Sequence, residues 1–156
     1  MKRQRGVVLL VCLVLTLLMS VLAASALNDA LLETRLVGHL LSRAQAFEQA
    51  EATLLEAVST LDRPQVECPA CLPPARPHAL EGSWQRGRDG FFSVQDLGVT
   101  ERAVHMPAGE RMRLLRITAV SAQPAARQVL EAVYAVSLDH PDSPQRILWR
   151  HRAPEG

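Results

Sequence analysis

Lysine, aromatic side chains and basic clusters are scarce in this chain of 156 residues. Lys2 is the only lysine, and the other sixteen basic residues are arginine, a bias of genome composition that carries no mechanism. Aromatics make up 4% and charged residues 21% against 48% hydrophobic, too apolar for disorder and ordinary for a folded domain with an apolar appendage. At roughly one domain per 100 to 200 residues, the length excludes a multidomain enzyme. The formal net charge is +1, and because Lys2, Arg3 and Arg5 all precede Gly6, the remainder is slightly acidic. A nucleic-acid footprint is basic and clustered, so no nucleic-acid partner is expected. Catalytic signatures are missing as well: there is no nucleophile elbow, phosphate-binding loop, dinucleotide fingerprint or His-Glu-x-x-His. The histidines, His39, His78, His105, His140 and His151, share no ligand spacing. Neither a catalytic residue nor a metal or cofactor is expected.

Charge is also absent from Val7 to Leu27. At 1.5 Å per residue this run spans about 31 Å, the hydrocarbon thickness of a bilayer. Basic residues flank only its N-terminal side and the first charge beyond it is Asp29. The positive-inside bias therefore keeps the short N-terminus in the cytoplasm and exports the residues beyond Leu27. Ala24-Ser25-Ala26 also fits a signal-peptidase site. Helical periodicity nevertheless continues past it, with no proline, loop or cap between. Leu36, Leu40, Ala44, Phe47, Ala50, Leu54, Val58 and Leu61 recur at steps of three and four, opposite Glu33, Arg35, Arg43, Glu48, Glu51 and Glu56. Asp62-Arg63-Pro64 reads as the end of this helix, about 55 residues long and lipid-soluble in its first half. Gly38 costs it about 1 kcal/mol relative to alanine and marks a bend or a close packing point.

Specific residues on that plan resemble the minor pilins of bacterial type IV pili, most closely the PilX type. Gln4-Arg5-Gly6 followed by Val7-Val8-Leu9-Leu10 is similar to a prepilin leader. The resemblance implies cleavage after Gly6 by the inner-membrane prepilin peptidase and methylation of the new N-terminus at Val7. Leu32-Glu33-Thr34-Arg35-Leu36-Val37-Gly38-His39 resembles the L-x-E/x-R-M-A-G-N segment of that family. Arg43 with Ala46-Phe47-Glu48-Gln49-Ala50-Glu51-Ala52 resembles its R-x-x-A-F-x-x-A-E-A signature. The detailed likeness covers residues 1 to 60. The fifth mature residue, usually glutamate in pilins, is Val11 here. A carboxylate in the bilayer costs on the order of 2.5 to 3.5 kcal/mol, which pilins are thought to offset by pairing it with a neighbour's N-terminal amine. PilX-like pilins and the K-type pseudopilins of type II secretion are similar in lacking it, which implies a place at or near the filament tip.

Past Asp62, Pro64, Pro69, Pro73, Pro74 and Pro77 make a loop. Cys68 and Cys71 sit in it as C-x-x-C, while Cys12 lies in the apolar run. A redox centre wants a helix N-terminus after the first thiolate, but Leu72-Pro73-Pro74 comes next. Zinc would need two more ligands, with His78 or His105 available. The remaining reading is a local disulfide or a pair of free thiols. Residues 81 to 98 suggest one or two short strands around Trp84, Phe91 and Phe92. Residues 113–121 and 128–138 read as strands joined through 123–127. On the second, Leu130, Ala132, Tyr134, Val136 and Leu138 share a face that would dock on the stripe from Leu40 to Leu61. Ile147-Leu148-Trp149 adds a last strand or a packed tail.

The expected fold is α+β, a long N-terminal helix on a small antiparallel sheet, pilin-like. The expected segments are a leader at 1–6, a membrane or filament-core helix at 7–27, its amphipathic continuation at 28–61 and a periplasmic head at 62–156. By resemblance the work is association, not catalysis. It implies other minor and major pilins, prepilin peptidase, the inner-membrane pilus machinery and a candidate tip adhesin as partners. The rivals are a K-like minor pseudopilin, an exported periplasmic module using Cys68 and Cys71 in a disulfide or metal site, and a single-span anchored protein.

Overall fold

The structure, a computed structural model, describes residues 4–61, 72–141 and 143–153. Helix α1 runs unbroken from Gln4 to Val58, 55 residues. It stops four residues before Asp62. Its last turn tightens into i to i−3 bonds, in which the backbone N–H groups of Ser59, Thr60 and Leu61 donate to the carbonyls of Glu56, Ala57 and Val58 at 3.0–3.2 Å. The Ser59 and Thr60 hydroxyls donate to the same Glu56 and Ala57 carbonyls at 2.7 Å. Hydroxyls that compete for the final carbonyls end the helix, ahead of any effect of Pro64.

By its contacts the chain divides into two units, Met1–Leu41 and Ser42–Gly156, with α1 contributing to both. In the second unit five strands form one antiparallel meander: β1 (Gln85–Arg86), β2 (Gly90–Thr100), β3 (Met112–Ser121), β4 (Val129–Ser137) and β5 (Gln145–Arg152), in that order across the sheet. Strands β3 and β4 fall where apolar, β-branched sequence places them. The connection between them carries a 3-10 turn at Pro124–Ala126. Ile147 to Trp149 lies inside β5. Strand β2 is longer than the sequence suggests, because Asp96 and Gly98, residue types depleted in strands, form a bulge instead of an end. The Asp96 carboxylate accepts the Gly98 N–H at 2.9 Å, and Gly98 holds φ +94°.

The core lies between the sheet and the last four turns of α1. Leu54, Ala57 and Leu61 pack on Phe92, Leu115, Ile117, Ala119, Ala132, Tyr134 and Val136, with Val58 and Val94 at the margin. Ala46, Ala50 and Thr53 are buried beside them. The α+β arrangement is that of a long helix on an antiparallel sheet, consistent with a pilin-like fold. The expected docking stripe is corrected at its upper end. Leu36, Leu40 and Ala44 remain exposed, and cover begins at Ala46. From Ala46 to Leu61 the helix rises only about 22 Å, which is all the sheet covers. Leu138 lies beyond β4 and is exposed too.

Gly90 sits at a close approach of helix and sheet. A Cβ there would meet the Val120 carbonyl oxygen and lie 2.7 Å from the Thr53 hydroxyl. Since the first of these is backbone, relief requires the sheet to move. Gly90→Ala is expected to cost roughly 2 kcal/mol, within the range for overpacking, and a denaturant titration of the detergent-solubilised protein measures it.

Candidate functional site

Two surfaces separate this chain from an ordinary small domain. The first is α1 from Val7 to Leu41. It contains an 18-residue window of mean hydropathy 3.0, none of it buried, and so is long and apolar enough to cross a membrane. Three of its hydroxyls are bonded back to the helix. The hydroxyls of Thr16, Ser20 and Thr34 donate to the carbonyls of Leu13, Thr16 and Ala30 at 2.8–2.9 Å. A hydroxyl bonded back to its own helix can face lipid without an unmet donor. Val7 and Val11 are exposed on this surface, as is Cys12. Gly6 lies in the first turns of the helix.

The residues matched to the pilin signature divide between the two units. Glu33, Arg35 and Gly38 are exposed in the first, and a Cβ at Gly38 would meet nothing within 4 Å. In the second, Arg43, Glu51 and Ala52 are exposed and Ala50 is fully buried. Phe47 joins the helix to the edge strand. Its ring lies edge-on to Trp149 at 6.4 Å and to His151 at 6.2 Å. The signature therefore contributes Ala46 and Ala50 to the buried side of the helix, with Phe47 half-buried at its margin, and leaves Arg43, Glu48, Glu51 and Ala52 on the surface. Cys68 and Cys71 lie outside the described residues. Among the described residues, no group of three or more His, Cys, Asp or Glu comes together as a metal-binding set.

The second surface is one that periodicity does not reveal. Glu131, on the sheet face away from α1, is almost fully buried among three arginines. Its carboxylate lies 2.6 Å from Arg150, 3.8 Å from Arg152 and 3.9 Å from Arg116. The register explains the cluster: Arg150 pairs directly with Glu131, while Arg116 and Arg152 stand opposite its same-face neighbours Val133 and Val129. Arg116 also donates to Gln95 on β2 at 3.3 Å. The segment after the helix closes the layer from above. The Leu72 carbonyl accepts from Gln95 at 3.1 Å and the Pro74 carbonyl from Arg152 at 2.8 Å. The only sequence signal for this cluster is a single carboxylate inside Val129–Ser137, on the face alternating with Leu130 and Ala132.

No family model matches this chain, and neither a curated protein nor a solved structure matches it.

Two outcomes are expected. Glu131→Gln leaves three guanidinium groups around a neutral amide and should cost roughly 3 kcal/mol. Arg150→Gln removes a partner that is half exposed and should cost under about 1 kcal/mol; thermal unfolding of both variants gives the ranking. Burial raises the Tyr134 phenol above its ordinary 10.0, with the facing Arg146 partly opposing the rise. A raised folded value favours the neutral phenol, so this stabilisation is present below pH 10 and fades as pH climbs through the folded value. Absorbance titration of this sole tyrosine should show ionisation delayed relative to the unfolded chain, and Tyr134→Phe should flatten the alkaline fall in stability.

Proposed function

We propose that this chain is a minor pilin of the PilX type, membrane-stored, cleaved after Gly6, and then packed by α1 into the core of a type IV pilus. One observation carries this reading. A leader-like Gln4-Arg5-Gly6 opens a helix whose surface from Val7 to Leu27 is apolar and uncovered, and that same helix continues to Val58. Such a surface has two suitable surroundings, lipid tails and other apolar helices. Exchange between them gains little from the hydrophobic effect, since lipid is as apolar as leucine. Departure from the membrane is therefore driven from outside, by the assembly ATPase that the resemblance implies.

Val11 in place of the usual glutamate supports a place at or near the tip, where no neighbour's amine needs that carboxylate. The head faces the periplasm in storage and the filament end after assembly. The work is association with other pilins, with initiation of assembly, twitching motility and adhesion as consequences. Continuity of α1 through Ala24-Ser25-Ala26 supports retention of the stem over removal of a secretory signal.

N-terminal mass analysis tests the reading. A mature chain beginning at N-methylated Val7 is the expected result. A chain beginning at Leu27 supports an exported module, and an intact Met1 supports a simple anchor. Gly6→Ala should accumulate uncut precursor and abolish piliation; normal processing with normal pili rejects the proposal.

A further inference from the structure

A cavity of about 270 Å³ opens where three sequence-distant stretches meet: Arg43 on α1, His78 in the segment over the sheet, and the turn from Pro124 to Gln128. At about 30 Å³ per water this is room for roughly nine waters, or for a small ion with part of its shell. Its charge is of one sign. Arg43 and Arg127 line it and no carboxylate does. Neither arginine has an ion-pair partner among the described residues. Arg127 donates from one Nη to the His78 carbonyl, while its Nε is buried with no acceptor among the described residues. A guanidinium carries five donors and no acceptor, and a buried charged donor left unmet costs more than a neutral one.

The walls are fixed by bonds that do not involve either guanidinium. Gln123 Nε2 donates to the Ser42 hydroxyl at 3.1 Å, tying the turn to the helix one residue before Arg43. Gln128 N donates to the Ser121 hydroxyl at 2.9 Å and Gln128 Nε2 to the Ala126 carbonyl at 3.1 Å. The backbone that carries Arg43 and Arg127 is therefore fixed at the cavity before anything binds, and Arg127 is further held by its bond to the His78 carbonyl.

We propose that Arg43 and Arg127 form a receptor for a single oxyanion. A planar guanidinium fork matches carboxylate and phosphate alike. The group thus comes either from a side-chain carboxylate of a partner protein or from phosphate. The site stands on these residues alone and does not depend on the pilus reading.

The test uses the full chain in neutral detergent. Sodium phosphate and sodium acetate are titrated separately against sodium chloride of equal ionic strength, with the unfolding midpoint as readout. The expected result is a saturable rise of the midpoint with an oxyanion, absent with chloride. A larger response to acetate assigns the carboxylate source, and a larger response to phosphate assigns phosphate. Arg43→Gln and Arg127→Gln should each remove the oxyanion-specific rise while leaving the midpoint in chloride unchanged or higher. Arg127→Lys keeps the charge without the fork and should lose most of the response, which covers failure of the glutamine variant to fold. Phosphate and acetate that act no differently from chloride, or variants that retain the rise, overturn the proposal.

Discussion

From Val7 to Leu41 the large aliphatic side chains of α1 are 46–72% exposed, an apolar helix surface that its own chain does not cover. Leaving such a side chain in water instead of burying it costs about 1.5–3 kcal/mol. An uncovered surface of that kind is compatible with a helix that crosses a membrane. Its backbone is bonded within the helix, and Thr16, Ser20 and Thr34 return their hydroxyls to it. Between Val7 and Leu27, where no side chain is charged, such a helix suits either apolar surrounding, lipid tails or other helices. Side-chain packing then decides between them.

The head answers the opposite requirement, a single fixed arrangement. Small residues at Ala46, Ala50 and Ala57 let the helix lie close on the sheet, and Gly90 admits the Thr53 side chain. Phe47 against Trp149 anchors one end of the contact. At the other, the Glu56 carboxylate accepts the Arg88 N–H at 2.9 Å and occupies the space that a side chain on Gly87 would need. On the far face, Glu131 with its arginines sets the register of β3, β4 and β5. A slip of one residue in β4 would turn that carboxylate into the apolar core.

Much of this is legible in the sequence, and the parts that are not share a cause. The long helix follows from an uninterrupted 3.6-residue pattern, and β3 and β4 follow from β-branched apolar runs between turn residues. Strand β2 is hidden because Asp96 and Gly98 look like a terminus and act as a bulge. Pro64 draws the expected helix end toward itself because proline is conspicuous, whereas the Ser59 and Thr60 hydroxyls that end the helix are not. The Glu131 cluster and the Arg43–Arg127 cavity are invisible to periodicity because each joins residues far apart in the chain. Arg43 is legible as part of a signature and Arg127 only as part of a turn; their meeting is a property of the fold.

The apolar stripe makes the same distinction in finer detail. Periodicity runs evenly from Leu36 to Leu61, yet the head covers only Ala46 onward. Small residues are part of what lets the covered stretch lie close to the sheet, beside Leu54 and Leu61. Buried positions include Ala46, Ala50 and Ala57, which bring backbone close to a sheet, while Leu36, Leu40 and Leu41 above them stay exposed. Large side chains facing outward suit a yielding or interdigitating neighbour, and small ones suit a rigid, close one. Along one face of α1, the cover supplied by the head begins at Ala46, where the first of these small residues meets the sheet.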